Sequence, residues 1–206
     1  MPTNEGSVSN IKAALREEFR DARRIFVQKT EPKKLNLVLD KISENLLAVT
    51  HEIDGIIASY QAVASEVPVK TFEAAKQTQN SKVVFCYPKV VSEALQFYKV
   101  SSSKDLSPGA FNILEPAPIE KRLVKSDDIL CVLVPGVAFD AKGFRLGSGF
   151  GFYDRFLANF KGLKIGVGYT CQMSKSNFSV ESHDIKMDWV VCEDFAMQVK
   201  EDKKWN

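Results

Sequence analysis

The chain has 206 residues, of which 45% are hydrophobic and 26% charged, and its formal net charge at pH 7 is +2. This length and composition fit one globular domain with a substantial core, placed at residues 1–206 with a flexible start at 1–8. The small net charge, the lack of an apolar run of ~20 residues and a start unlike a secretory signal argue against nucleic-acid binding, membrane insertion and secretion, so we expect a cytoplasmic monomer.

Cysteine and histidine usage narrows the kinds of metal site. The four cysteines form no Cys-x-x-Cys pair, so structural zinc and disulfides are not expected. His51 and His183 are the only histidines, and we expect both to be structural or surface residues. A histidine-rich metal centre is therefore excluded, whereas a Mg²⁺ ion bound by carboxylates is available.

The first part of the chain predicts a helical hairpin. Apolar residues recur at steps of three and four over residues 9–29, which indicates one helix capped at Ser9 or Asn10. Pro32 suits the first turn of a second helix, and the same spacing continues to Thr50.

Strand and helix patterns alternate after the hairpin. Short apolar runs predict strands at residues 56–60, 83–87, 95–100, 129–134, 164–169 and, as the last strand, 189–192. Helices are predicted at 69–79 and 150–160, and residues 101–118 are predicted to be irregular and exposed. This order implies an α/β fold with a mainly parallel, twisted sheet flanked by helices on both faces and ligands bound beyond the carboxyl ends of the strands.

The segment 145–154, Arg-Leu-Gly-Ser-Gly-Phe-Gly-Phe-Tyr-Asp, leads into a predicted helix. Its glycines allow strained backbone conformations and close approach to a ligand, while free N–H groups at a helix start and the planar cation of Arg145 favour an anion. The spacing matches neither the Walker A loop nor the dinucleotide fingerprint. On these residues alone, a phosphate site and a structural turn with an exposed arginine both remain open.

With its flanks, this segment resembles the signature of 5-formyltetrahydrofolate cyclo-ligases, also called methenyltetrahydrofolate synthetases. The specific match takes in residues 134–140, Gly143 and 145–154. Weaker matches follow in the expected order at 12–16, 59–60, 66–67, 87–89, 112–116 and 183–188. The resemblance implies a parallel sheet flanked by helices, and cyclisation of 5-formyltetrahydrofolate to 5,10-methenyltetrahydrofolate with ATP, Mg²⁺ and release of ADP and phosphate.

The resemblance also implies that Lys12 and Arg16 reach the ATP phosphates. Residues four apart share one face of a helix, which agrees with this role. Arg20 and Arg23 continue the same face, and we expect them to form a solvated helix surface.

The remaining site residues implied by the resemblance fall into three groups. The ATP loop comprises Arg145, Leu146, Gly147, Ser148, Gly149, Phe150, Gly151, Phe152 and Tyr153, of which Arg145 and Tyr153 are the implied catalytic residues. Folate contacts are implied for Tyr60, Glu66 and Tyr153. Mg²⁺ ligation is implied for Asp154 and Asp188.

Two aromatic residues depart from the family pattern. Phe152 replaces a tyrosine, and Phe150 replaces a small or basic residue and cannot supply charge to a phosphate. Phe150 motivates an alternative, a catalytically silent folate- or nucleotide-binding module of the same fold, although the charged residues assigned to the reaction are retained. A second alternative is a phosphotransfer enzyme acting on another small molecule, against which the missing Walker lysine argues.

Overall fold

The computed structural model describes residues 5–109 and 113–200. The helices are α1 (Glu5–Lys29), α2 (Pro32–Val49), α3 (Lys70–Gln79) and α4 (Phe152–Leu157). The strands are β1 (Ile56–Ala58), β2 (Val84–Val91), β3 (Ala94–Lys99), β4 (Leu106–Pro108), β5 (Leu114–Pro116), β6 (Leu123–Val124), β7 (Ile129–Pro135), β8 (Ala138–Phe139), β9 (Arg145–Leu146), β10 (Leu163–Val167), β11 (Trp189–Val191) and β12 (Ala196–Gln198).

An eight-stranded sheet forms the centre, in the order β12-β11-β10-β7-β1-β2-β3-β6. The inner strands β11, β10, β7, β1 and β2 run parallel. The outer strands β12, β3 and β6 pair antiparallel, and the hairpins β4–β5 and β8–β9 form separate small sheets. The predicted α/β fold with a mainly parallel sheet is confirmed.

Alternate side chains of the parallel strands enter two apolar cores. In β7, Cys131 and Leu133 pack with residues of α2 and α3, whereas Val132 and Val134 pack on the opposite face with residues of α4. All four side chains are buried, and full burial of a Leu or Val contributes roughly 1.5–3 kcal/mol. Burial on both faces explains the unbroken apolar runs in the sequence. The prediction of helices on both faces is thereby confirmed.

Both helices of the predicted hairpin are present, and the first begins earlier than predicted. Helix α1 begins at Glu5, so the predicted caps Ser9 and Asn10 lie inside it, and residues 5–8 of the predicted flexible start belong to this helix. Residues 1–4, the rest of that predicted start, lie outside the described part of the chain. A pattern of apolar spacing marks where a helix is buried, not where its exposed first turns begin.

Two further expectations are corrected along the chain. Residues 101–118 were expected to be irregular and exposed, yet they contain the hairpin β4–β5, in which Glu115 is buried. The strand β11 is not the last, because the antiparallel edge strand β12 follows it. Both misses concern very short strands, whose sequences carry too few residues to show a periodic pattern.

Helix α4 is shorter than the predicted helix 150–160. Gly151, immediately before it, has a φ of 67°, a left-handed conformation that an α-helix cannot include. The helix therefore starts at Phe152 and has 6 residues. Within the described ranges, no helix combines the length and apolarity needed to cross a membrane.

Candidate active site

A cleft of about 660 Å³ opens at the carboxyl edge of the parallel strands. Tyr60 follows β1 and Gly136 follows β7, so both reach this edge, and the inner face of α1 closes the cleft from one side. The volume is typical of a site for a small-molecule ligand. The position agrees with the expectation that ligands bind beyond the carboxyl ends of the strands.

The cleft collects nearly all residues that the resemblance assigned to a site. They come from α1, from the loop after β1, and from the segment 145–154, and the single exception among them is Asp188. Asn112, which belongs to one of the weaker sequence matches, lies outside the described residues.

Asp188 lies at the amino ends of the parallel strands, so the structure does not bring it together with the other residues assigned to the site. It directly precedes β11. Its carboxylate accepts a hydrogen bond from the Lys164 backbone N–H at 2.7 Å and forms an ion pair with Lys164 Nζ at 2.9 Å. Lys164 is near the start of β10, and β10 and β11 are parallel. Asp188 therefore stands at the amino ends of strands whose carboxyl ends point toward the cleft.

The cations of α1 are tied to the other walls of the cleft. Lys12 Nζ pairs with Glu181 at 2.5 Å and with Asp184 at 2.8 Å. Burial lowers the pKa of Lys12, but its bonds to Asp184 and Glu181 outweigh burial and raise the pKa above its ordinary value. Arg16 Nε donates to the Gly147 carbonyl at 2.9 Å.

The glycine loop, residues 147–151, joins β9 to α4. Gly149 has a φ of 105° and Gly151 a φ of 67°, so both occupy backbone conformations that are costly for any other residue. Besides the bond from Arg16, the loop receives one from Arg20 Nη2 to the Ser148 carbonyl at 3.2 Å. Two arginines of α1 therefore hold the loop through its carbonyl oxygens.

Arg145 lies beneath this loop and is paired with Asp154. Its Nη2 atom donates to both carboxylate oxygens, at 3.0 and 3.1 Å, and Nη1 donates to the Pro135 carbonyl at 3.3 Å. The Arg145 side chain is only 5% exposed, and the Tyr153 ring covers it at 5.4 Å. Among the described residues, Nε of Arg145 is buried and has no hydrogen-bond partner. The structural-turn alternative included an exposed arginine, whereas the Arg145 side chain is buried.

Glu66 and two tyrosines form the part of the cleft assigned to folate. Burial raises the pKa of Glu66, and the Val63 N–H, Arg23 and Arg145 partly offset this effect. The Tyr60 hydroxyl donates to the Val67 carbonyl at 2.7 Å. Burial, together with the charge of Glu66, raises the pKa of both Tyr60 and Tyr153, so both phenols are protonated at neutral pH.

The two phenylalanines of the loop lie on the rim of the cleft. Phe150 is 54% exposed and stacks on Phe152, with ring centroids 5.9 Å apart and an interplanar angle of 22°. The Arg155 guanidinium lies 5.2 Å from the Phe152 ring centroid, and its Nη1 donates to the Phe150 carbonyl at 3.0 Å. Phe150 is therefore part of a rim stack and does not fill the cleft.

Sequence reasoning missed several residues of the cleft. Glu181 and Asp184 are 169 and 172 residues from their partner Lys12, so no local pattern connects them. Together with His183, they place potential metal-ligand atoms within 4.8 Å of one another. Arg23, expected on a solvated surface, is only 7% exposed and donates to the Gly136 carbonyl at 3.1 Å. The order of the 183–188 match was the one available signal for Asp184.

Comparisons with known proteins agree with this geometry. The model of the 5-formyltetrahydrofolate cyclo-ligase family matches residues 8–193. The cyclo-ligase of Saccharomyces cerevisiae is 43% identical over 112 residues, which span 48% of this chain and 51%, about half, of the yeast protein. The cyclo-ligase of Mycoplasma pneumoniae is 29% identical over 186 residues, covering 87% of this chain and 97% of that protein.

A solved structure supports the same relationship over nearly the whole chain. The structure of Aquifex aeolicus 5,10-methenyltetrahydrofolate synthetase superimposes with a TM-score of 0.77 and 30% sequence identity, covering 95% of this chain and 96% of that one. From the family match and the shared fold, we conclude that the chain belongs to the 5-formyltetrahydrofolate cyclo-ligase family.

Proposed function

We propose that this chain catalyses the ATP- and Mg²⁺-dependent cyclisation of 5-formyltetrahydrofolate to 5,10-methenyltetrahydrofolate, with release of ADP and phosphate. The observation that carries the proposal is that one cleft holds the cations Lys12, Arg16 and Arg145 together with Glu66 and Tyr153. The three cations can bind the phosphates of ATP, and the polar groups Glu66 and Tyr153 can contact the folate in the same cleft.

The reaction requires a phosphoryl transfer followed by a ring closure. The formyl oxygen attacks the γ-phosphorus of ATP, so a new O–P bond forms while the bond to the ADP oxygen breaks. The neighbouring folate nitrogen then attacks the activated formyl carbon, and the C–O bond breaks to release phosphate. The proton lost by that nitrogen balances the charge of the released phosphate. Such a sequence needs positioning and charge neutralisation more than acid–base catalysis.

The residues of the cleft match those two needs. Lys12, Arg16 and Arg145 supply the positive charge for the triphosphate, and the planar guanidinium groups suit bidentate contacts to phosphate oxygens. Helix α4 has 6 residues, which is too short for its dipole to carry this task, so the side-chain cations carry it.

The opposite wall of the cleft suits the folate. The protonated hydroxyl of Tyr153 is a hydrogen-bond donor near the reacting groups, and the Glu66 carboxylate is an acceptor for folate N–H groups. Both side chains are half-buried, which strengthens these interactions because the local dielectric is lower than that of water.

The carboxylates of the cleft fit a Mg²⁺ ion. Mg²⁺ binds through one or two carboxylates plus phosphate oxygens, and Asp154 and Asp184 both line the cleft. Asp154, the residue that the resemblance assigned to the metal, would contribute to holding the ion, and Asp184 is a second carboxylate available in the cleft. The ion would neutralise charge on the phosphate oxygens. In this structure Asp154 is paired with Arg145, and Asp184 is paired with Lys12.

The rim position of Phe150 bears on the silent-module alternative. An aromatic ring that filled the cleft would favour a protein unable to turn over, whereas a ring on the rim leaves the cleft accessible. The cytoplasmic location and the monomeric state expected from the sequence stay predictions.

A single assay tests the proposal. Purified protein is mixed with 5-formyltetrahydrofolate, Mg²⁺ and ATP, and the near-ultraviolet absorbance of the methenyl product is followed. We expect product only when both ATP and Mg²⁺ are present, with a chelator abolishing it. ATP binding without product would favour the silent module, and ATP hydrolysis with another acceptor but no methenyl product would favour the phosphotransfer alternative.

A further inference from the structure

Arg23 differs from the other arginines on its helix. Arg24, the next residue, is more than half exposed and pairs with Asp21, one turn away on α1. Arg23 is 7% exposed, and its hydrogen-bond partners within the described part of the chain lie outside the helix. A buried arginine is rare unless its charge and donors are satisfied, so its partners identify what it holds.

The Arg23 guanidinium joins the loop after β1 to the end of β7. Its Nε donates to Ser65 Oγ at 3.1 Å, and its Nη1 donates to the Gly136 carbonyl at 3.1 Å. The same carbonyl also accepts a bond from Gln172 at 2.8 Å. Two side chains therefore hold the Gly136 carbonyl in place, and Arg23 connects Ser65 to it through its guanidinium.

The Glu66 loop, residues 61–66, has few other attachments. Its internal bonds join Val63 and Glu66 in both directions, at 3.0 Å each. Ala64 has a φ of 52°, a left-handed conformation that costs free energy in a residue with a side chain. The neighbouring bond from Tyr60 fixes only the residue after Glu66. Among the hydrogen bonds of the described residues, the one from Arg23 to Ser65 is the one that reaches this loop from another element.

Arg23 also acts on the Glu66 carboxylate through its charge. Nη1 lies 4.0 Å from Glu66 Oε1, which is too far for a direct hydrogen bond but close enough for strong attraction at a buried site. The same guanidinium also contacts Ser65, the residue before Glu66. The Arg23 side chain therefore both holds the Glu66 loop and supplies a positive charge near the Glu66 carboxylate.

We propose that Arg23 is a positioning residue for folate binding, which holds the Glu66 loop against the end of β7 and places its positive charge beside the Glu66 carboxylate in the cleft. The inference rests on the proposed function, since it takes the ligand of Glu66 to be 5-formyltetrahydrofolate. Arg23 does not touch that ligand in this account; it acts through Ser65 and Glu66.

The groups around Glu66 predict how folate binding depends on pH. Burial raises its pKa, while the Val63 N–H, Arg23 from α1 and Arg145 from β9 lower it. The facing phenols of Tyr60 and Tyr153 are protonated and neutral. Removing the Arg23 charge therefore raises the pKa of Glu66 further, so the carboxylate is lost at a higher pH as the solution is acidified.

Direct ligand binding tests the inference independently of turnover. The dissociation constants of 5-formyltetrahydrofolate and of MgATP are measured by calorimetry across pH for the wild type, Arg23→Met, Arg23→Lys and Lys29→Met. The last variant removes an exposed α1 charge outside the cleft as a control. For Arg23→Met we expect roughly tenfold or more weaker folate binding at neutral pH, an acidic loss of binding that moves to higher pH, and unchanged MgATP binding.

Arg23→Lys separates charge from geometry. It keeps the positive charge near Glu66 but loses the guanidinium group that donates to both Ser65 and Gly136. The pH at which folate binding is lost on acidification should therefore stay near that of the wild type. Folate affinity should fall to a value between those of the wild type and Arg23→Met. It also carries the test if Arg23→Met does not fold. Equal losses for folate and MgATP, or folate binding with unchanged affinity and pH dependence, would show a merely structural arginine and overturn the inference.

The wild type distinguishes this inference from the proposed function. A wild type that binds 5-formyltetrahydrofolate with the expected Arg23 dependence but forms no product would contradict the proposed function alone. A wild type that does not bind 5-formyltetrahydrofolate would overturn both.

Discussion

Two loops border the cleft, and their conformations are fixed in different ways. The glycine loop, residues 147–151, uses Gly149 and Gly151 for its left-handed turns and lies between Arg145 and Asp154, which pair across a separation of 9 residues. The Glu66 loop takes its left-handed turn at an alanine and is held by Arg23, 42 residues before Ser65. Both loops accept or receive contacts from arginines of α1, but the left-handed turns of the first are marked by its own glycines, whereas the turn of the second carries no such mark in the sequence.

This difference explains which loop could be interpreted from the sequence. Glycine is the residue that tolerates positive φ, so a glycine-rich segment indicates a left-handed or otherwise unusual backbone conformation. An alanine in the same conformation carries no such signal, and its neighbours must hold it there. We expect changes within the glycine loop region to affect ATP and Mg²⁺ use, and changes at Arg23 to affect folate.

The largest effect is expected from breaking the glycine loop region at Arg145. Arg145→Ala removes a phosphate-binding cation and leaves Asp154 without its partner, so kcat/KM should fall by roughly 10² to 10³. Steady-state kinetics of methenyl formation measure the change. Arg122→Ala breaks an arginine–aspartate pair of 2.7 Å with Asp105 outside the cleft and should leave kcat/KM unchanged. Similar losses in the two variants would contradict the assignment.

The second effect separates the two aspartates that the sequence assigned to Mg²⁺. Asp154→Asn removes a proposed metal ligand, so the Mg²⁺ concentration for half-maximal activity should rise roughly 10- to 100-fold. Asp188→Asn alters only the pair with Lys164 at the far edge of the sheet and should keep the wild-type Mg²⁺ requirement. Titration of activity with Mg²⁺ measures both, and a raised requirement in Asp188→Asn would restore the sequence-based assignment.

The smallest effect is expected from crowding the loop without removing a charge. A Cβ atom at Gly147 would lie 2.6 Å from Arg145 Nη1, so Gly147→Ala must displace the guanidinium. Displacement of a positioned cation should reduce kcat/KM by about tenfold at most. Gly55→Ala serves as the control, because its Cβ would meet only the flexible tip of Leu130 at 2.8 Å, away from the cleft. Equal losses in both would indicate general destabilisation.

The fold was largely predictable because the parallel strands are buried on both faces. β7 appears in the sequence as an apolar run, which burial on both faces explains. The hairpin β4–β5 and the edge strand β12 could not be predicted, since strands of 3 residues show no periodicity. These strands form because each pairs with a neighbouring strand, and that pairing exists only in the folded chain.

The site was predictable where function and local conformation share the same residues. Arg145, the glycines and Asp154 lie within one segment, and the resemblance rests on that segment. Arg23 was expected to be solvated because helical spacing shows which residues share a face, not what covers that face. Asp184 and Asp188 are only four residues apart, yet Asp184 lines the cleft and Asp188 directly precedes β11 at the amino ends of the parallel strands. No spacing argument separates them.

The most direct test of the central claim follows the formyl oxygen. 5-Formyltetrahydrofolate carrying a heavy-oxygen label in its formyl group is incubated with the protein, ATP and Mg²⁺, and the released phosphate is analysed by mass spectrometry. Because the formyl oxygen attacks the γ-phosphate and leaves with it, we predict labelled inorganic phosphate formed in step with the methenyl product. Unlabelled phosphate accompanying that product, or no ATP-dependent product, would contradict the account.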